Sequence, residues 1–247
     1  MEWYTSSEAL LALLTLTIME IVLGIDNIVF ISIQTDKLPE HQQKKGRLLG
    51  LAFALVTRIL LLLSINWVLT LTKPLFNISD WFGLSGNWAE RLSISGRDLI
   101  LFLGGLFLIY KSIVEIYNML EGESKLKVGS KLSFVQTIIQ IGLLDIVFGL
   151  DSVITAVGMA THVEVMIIAI IIAMIVMVFS INGISNFVNK HPSVKVLALS
   201  FLLLIAVSLI AESIDEPIAK GYIYFSMGFS MFVVSLVIRL KPQTNTN

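Results

Sequence analysis

The sequence contains no cysteine, only three histidines and five prolines, and charged residues make up just 14% of its 247 positions. Without cysteine there is no disulfide, no thiolate nucleophile and no soft sulfur cage for zinc or an iron–sulfur cluster. Charge this sparse, against about 25% in an ordinary soluble domain, together with an apolar content of 56% excludes a sizeable soluble enzyme domain. A formal net charge of -1 gives no electrostatic footprint for nucleic acid. His41, His162 and His191 fall in loops or at the ends of apolar runs and read as solvated residues rather than zinc ligands.

What the chain has in abundance is long apolar sequence, with a mean hydropathy of +0.88. Runs of roughly 20 apolar residues recur, each long enough at 1.5 Å per residue to cross a hydrocarbon core of about 30 Å. They predict spans at roughly 9–33, 48–72, 98–118, 134–160, 164–182, 194–211 and 219–238. Pro39, Pro74, Pro192, Pro217 and Pro242 all lie between or beyond these spans, where a helix breaker does least harm. The runs are too continuous for the alternating strands of a barrel, so an all-α membrane protein with seven transmembrane helices in a lipid bilayer is expected.

Basic residues outside the spans set the expected orientation, because cytoplasmic loops are enriched in them. Lys37, Lys44, Lys45 and Arg47, then Lys125, Lys127 and Lys131, then Lys190 and Lys195, and finally Arg239 and Lys241 share one side. The other side holds Lys73, Arg91, Arg97 and Lys220. The N-terminus is therefore expected outside and the C-terminus in the cytoplasm, with no cleaved signal peptide. Trp81 and Trp88, in the second loop, suit either an interfacial segment or an ordinary connector.

Two stretches read as one motif. Glu20-Ile21-Val22-Leu23-Gly24-Ile25-Asp26-Asn27 lies in the first span, and Asp145-Ile146-Val147-Phe148-Gly149-Leu150-Asp151-Ser152 in the fourth. A fainter echo sets Glu115 in the third span against Glu212 at the end of the sixth. These matches divide the chain into a first three-helix repeat over residues 1–122 and a second over 123–247 that carries the final helix. Three is odd, so the second repeat must run inverted with respect to the first.

An acid at the centre of a spanning helix costs about 2.5–3.5 kcal/mol, so Glu20, Asp26, Asp145 and Asp151 require a reason to be there. On an unbroken helix, residues six apart point about 120° away from each other. A helix break at Gly24 and at Gly149 would turn both acids of each motif toward one cavity and free backbone carbonyls. Glu20, Asp26, Asn27, Asp145, Asp151 and Ser152 would then form a hard oxygen site for a divalent cation such as Mn²⁺, Ca²⁺ or Mg²⁺. The alternative is a set of interhelical polar contacts that hold no ligand. Arg58, in the second span, must be paired if buried and is expected to be the counter-ion. Lys111 and Glu115, one turn apart, are expected to pair with each other or reach toward the surface. Gly104 and Gly105 suit close helix packing.

With its stretches EIVLGIDNIVFIS, DIVFGLDSVITAVGMA, NKHPSVKVLALSFLLLIAVSLIAE and KGYIYFSMGFS, the chain resembles the TerC family of integral membrane proteins over nearly its whole length. It is most similar to the YoaE- and YkoY-like branch and, through it, to the LysE transporter superfamily. The resemblance implies a seven-helix transporter-like protein of the bacterial inner membrane, linked to manganese efflux and, by name, to tellurium resistance. The last helix departs from the family pattern, with Val234 and Val237 where relatives carry an acid and an asparagine, which leaves its share in the site open. The expectation is a non-enzymatic exporter of divalent cations, Mn²⁺ first, with proton coupling compatible and no organic cofactor. Export of another small cationic solute and a non-transporting membrane scaffold linked to metal stress are the alternatives. A single chain and a homodimer both satisfy this reading.

Overall fold

The computed structural model of the chain describes residues 6–77, 93–121, 133–159 and 162–240, without the side chains of Asn77, Glu121, Asp151, Thr155 and Met159. The chain runs through α1 (Ser7–Thr35), α2 (Glu40–Leu63), α3 (Ile65–Leu71), β1 (Pro74–Asn77), β2 (Ser93–Ser95), α4 (Gly96–Glu121), α5 (Phe134–Met159), α6 (Val163–Lys190), α7 (Pro192–Glu212) and α8 (Lys220–Leu240). All of these helices except α3 are long and apolar enough to cross a membrane, which gives the seven expected spans. The expectations for Trp81, Trp88, Arg91, Lys125, Lys127, Lys131 and Lys241 fall outside the described residues.

Polar side chains inside the apolar helices bond back to their own backbone. The hydroxyls of Ser32 and Thr35 donate to the carbonyls of Ile28 and Ile31, each at 2.8 Å. Where no water reaches, an unsatisfied hydroxyl would cost several kcal/mol, on the order of the penalty for any bare polar group in hydrocarbon. At the start of α4, Ser95 and Asp98 cap each other's backbone. The Ser95 N–H donates to Asp98 Oδ2 at 2.9 Å and the Asp98 N–H to Ser95 Oγ at 3.2 Å. The ribbon of β1 and β2 is antiparallel, with Pro74 opposite Ser95 and Asn77 opposite Ser93, and it leads directly into this cap. After α7 the chain turns through Asp215 at φ 58, and the N–H of Glu216 reaches the Ala211 carbonyl at 3.0 Å.

Three helix pairs build the bundle: α1 on α6, α4 on α7 and α2 on α5. On α6 the buried residues Met166, Ala169, Ile170, Ala173, Met174, Met177 and Ile181 recur at helical spacing and form the face that meets its neighbours. Phe179 on the same helix is 82% exposed, a position that suits acyl chains rather than water. Gly104 and Gly105 let α4 come close to its partners. A Cβ at Gly104 would stand 2.5 Å from Val147 Cγ1, and one at Gly105 only 2.9 Å from the Ala206 carbonyl oxygen. Helix α8 is the outlier, with Ile223 as its single buried residue and contacts chiefly to α7.

Two spans differ from their sequence-based bounds. The second was expected over 48–72 but begins at Glu40 and ends at Leu63, with α3 a separate short helix beyond Ser64. The polar residues 40–47 are helical because Gly46, Arg47, Gly50, Leu51, Ala54, Arg58 and Leu62 form one buried face, which a scan for apolar runs does not register. Helix α6 likewise continues past residue 182 to Lys190, burying Ser185 and Val188.

Candidate functional site

Arg58 sits at the centre of the bundle, 2% exposed, on the buried face of α2. Its Nη1 pairs with Glu20 Oε2 from α1, and its Nε lies 3.3 Å from Asp145 Oδ1 of α5. The Thr57 hydroxyl donates to the other Asp145 oxygen at 2.8 Å. A guanidinium keeps its proton in any protein environment, so a buried arginine needs acids around it, and here each repeat of the acidic motif supplies its first residue. One positive charge thus lies between two carboxylates.

The helices do not break at the motif glycines, contrary to the sequence-based expectation. Helix α1 is continuous through Gly24 and α5 through Gly149. Both glycines serve close approach instead. A Cβ at Gly24 would lie 2.5 Å from the Met177 sulfur, and one at Gly149 would lie 3.3 Å from Leu61 Cδ1 and 3.6 Å from Arg58 Cγ. Because α1 stays helical, Glu20 and Asp26 keep their roughly 120° separation and point to different surroundings.

Asp26 borders two cavities. The first, of about 70 Å³, is lined by Asp26, Asn27, Arg58, Ser152, Ser208, Glu212, Lys220 and Tyr224 among apolar residues of α1, α5, α7 and α8. The second, of about 300 Å³, lies between α1, α6, α7 and α8; its walls are almost wholly apolar, and among the described residues Asp26 is the one ionisable residue that borders it. The first extends toward the α7–α8 connection and the second toward the α6–α7 connection, so they approach opposite ends of the bundle. Among the described residues the Asp26 carboxylate has no hydrogen bond or ion pair.

The six expected ligands therefore divide. Glu20 and Asp145 are engaged by Arg58, whereas Asp26, Asn27 and Ser152 share the first cavity. The backbone of Asp151 is helical, and its side chain lies outside the described residues. Among the described residues no three His, Asp or Glu side chains converge as a ready-made metal cage. Arg58 engages Glu20 and Asp145, and the unbroken α1 keeps Glu20 turned away from Asp26. Asn27 and Ser152 occupy the same position in the two motifs, so the cavity does draw on both. Ser208, Glu212, Lys220 and Tyr224 were not anticipated as its lining. Ser208 and Glu212, four apart on α7, carry the one signal that could have placed them on a common face.

Ion pairs join helices at both ends of α4. Near one end Arg97 pairs with Glu212 of α7, and near the other Glu115 pairs with Lys37 just beyond α1. The expected Lys111–Glu115 pair is not made, because the Lys111 ammonium donates to Gln140 Oε1 at 3.1 Å. At the Lys37 end Arg47 also donates to the Ser185 hydroxyl, tying α2 to α6. Asp36, just past α1, is held above the ordinary carboxylate range by burial, which outweighs the opposing effects of Asn189, Lys195 and Arg47; nearby Glu115 pushes it further up.

Seven apolar helices around a buried charged core and a carboxylate-bearing cavity define an integral membrane protein. Residues 5–246 match the family described as "Integral membrane protein TerC family", and the chain belongs to it. It is 53% identical over 246 residues to a UPF0053 protein of Haemophilus influenzae, covering 97% of this chain and 98% of that one. It is also 53% identical over 240 residues to the UPF0053 inner membrane protein YgdQ of Escherichia coli K12, with 97% of each chain covered. The UPF0053 inner membrane protein YoaE of the same organism is 48% identical over 235 residues, which cover 94% of this chain and 43% of YoaE. No solved structure matches.

Proposed function

We propose that the chain exports divalent metal cations, Mn²⁺ foremost, with Asp26 as the group that binds the ion in transit. The position of Asp26 carries the reading: among the described residues its carboxylate has no hydrogen bond or ion pair, and it lies with Asn27 and Ser152 on a cavity that extends toward the α7–α8 connection. An ion held there is reached through this first cavity. Asn27 and Ser152 offer neutral oxygens beside Asp26, a donor set that suits a hard divalent cation retaining part of its water shell. A carboxylate accepts a proton as readily as a metal ion, so the same residue can couple export to proton entry. The proposed activity is transport, with no bond made or broken.

The pattern of packing supports an inverted repeat around this group. Exchanging the halves turns the α1–α6 pair into α5–α2 and returns α4–α7 to itself, and these are the three principal packing pairs. The motif glycines follow the same exchange, with Gly24 against α6 and Gly149 against α2. Orientation with the N-terminus outside follows from Lys37, Lys44, Lys45, Arg47, Lys190, Lys195 and Arg239, which sit at the end taken as cytoplasmic. Placement in the bacterial inner membrane agrees with the names of YgdQ and YoaE.

The test is manganese tolerance and cell manganese content in a strain lacking its own exporters. Wild-type chain is expected to raise tolerance and lower cell manganese, and Asp26→Asn to do neither at equal membrane expression. Tolerance that survives Asp26→Asn would remove the assignment.

A further inference from the structure

The mouth of the first cavity carries a second carboxylate. Ser208 and Glu212, one turn apart on α7, both line that cavity, and Glu212 is the last residue of its helix. An ion moving from Asp26 and Asn27 toward the α7–α8 connection meets the Ser208 hydroxyl and then Glu212. Glu212 does not await it alone, because it pairs with Arg97 of α4.

Arg97 has another acid within reach. It stands at the start of α4, where the β1–β2 ribbon and the reciprocal cap of Ser95 and Asp98 hold the backbone. Ser95 occupies Asp98 Oδ2, and Asp98 Oδ1 lies 3.9 Å from Arg97 Nη1. A small swing of one guanidinium therefore exchanges Glu212 for Asp98. Burial separates this pair from the central one. Arg58 is 2% exposed, whereas the Arg97 and Glu212 side chains are 17% and 16% exposed, so water reaches both as they part. Glu115, the echo of Glu212 in the first repeat, is likewise held by a base from another segment, Lys37, near the opposite end of α4.

We propose that the Arg97–Glu212 pair is a latch across the mouth of the first cavity, and that a divalent cation leaving Asp26 opens it by taking Arg97's place on Glu212. Arg97 then turns to Asp98. The ion brings twice the charge of a guanidinium in a smaller volume, which lets it compete for the carboxylate. Lys220, at the start of α8, sets a like charge against a cation on Glu212 and so favours its release to water. The proposal rests on metal export through Asp26 and adds to it a second binding carboxylate and the device that closes the route.

The chain has no cysteine, so Ser208→Cys places a single thiol one turn inside the latch. The full chain carrying it is treated in lipid nanodiscs with iodoacetamide, a small neutral reagent, and alkylation is followed by mass spectrometry. Loss of a nearby positive charge by itself disfavours the thiolate and slows alkylation, so acceleration reports opening. Adding Arg97→Gln is expected to accelerate alkylation about tenfold, with melting curves showing each variant folded. The same acceleration is expected in the presence of Asp26→Asn, because the latch does not depend on the ion site. In reconstituted liposomes without the reporter thiol, Glu212→Gln is expected to lower Mn²⁺ flux about tenfold, and Arg97→Gln, which leaves the carboxylate in place, to lower it far less. Glu212→Asp is expected to restore most of the flux. Alkylation indifferent to Arg97→Gln would overturn the proposal. So would equal loss of flux in Arg97→Gln and Glu212→Gln, which would mark the pair as a structural tie between α4 and α7. Accelerated alkylation in a chain that carries no Mn²⁺ would instead sink metal export and the ion's part in opening while keeping the latch, so the two failures are told apart.

Discussion

Replacing Arg58 with methionine removes the one positive charge between Glu20 and Asp145. The three residues are 2%, 6% and 4% exposed, so little water reaches the pairing. Methionine keeps most of the apolar stem that packs near Gly149, which isolates the effect of charge. Removing one partner of a buried ion pair costs about 3–5 kcal/mol, because the remaining charge is left in a poor dielectric. Against a total stability of about 5–15 kcal/mol, this lowers the folding equilibrium constant by roughly two to four powers of ten. The triple variant Arg58→Met, Glu20→Gln, Asp145→Asn carries no charge at the centre and is expected to recover most of the loss, since replacing a whole buried cluster is often close to neutral. The assay is unfolding of the purified full chain in mixed micelles, followed by circular dichroism at fixed lipid and detergent. A single variant as stable as wild type, or a triple variant no better than the single, would refute the assignment of Arg58 as the electrostatic centre.

Other consequences can be checked on the same preparation. Gly105→Ala forces a methyl against the Ala206 carbonyl, which backbone cannot easily yield, and is expected to cost about 1–3 kcal/mol. Gly142→Ala meets only the ring of Phe53, which is 42% exposed and free to swing, and should cost clearly less in the same unfolding assay. Asp36 has a carboxyl pKa raised above its ordinary value of 3.8, so the native state binds more protons than the unfolded state as pH climbs above that value. Stability is therefore lost as pH rises through that window, and Asp36→Asn should melt higher than wild type at neutral pH, with the gap closing as pH falls toward 4. An unchanged gap across a pH series would contradict this sign. Lys37→Glu is expected to destabilise by only about 0.2–1 kcal/mol because the Lys37 side chain is 32% exposed, and adding Glu115→Lys should restore the loss.

Much of the fold was legible because hydrocarbon permits so few solutions. A run such as residues 163–181, with no charge beyond Glu164 near its start, has to be a spanning helix, and Arg58 inside such a run has to find acids. The repeated motif drew attention to Glu20 and Asp145, which pair with Arg58, and to Asn27 and Ser152, which share a cavity. Their division between two surroundings was not legible, because it depends on whether a helix breaks at glycine or uses that glycine to admit a neighbour. Met177 decides this for Gly24 and α2 for Gly149, and neither is near in sequence. The same holds for Lys111 and Glu115. A pair one turn apart is worth only about 0.2–0.5 kcal/mol, so partners from other helices, Gln140 and Lys37, readily displace it. The lining from Glu212, Lys220 and Tyr224 depends on how α8 returns against α7, which local sequence does not encode.

The most direct test of transport through Asp26 is Mn²⁺ flux in liposomes reconstituted with purified wild-type chain or Asp26→Asn, read by an enclosed metal-sensitive dye. Saturable flux through the wild-type chain, lost in Asp26→Asn while both melt alike, is the expected result. Equal flux through the two proteins, or none above empty liposomes with folded wild-type chain, would contradict it.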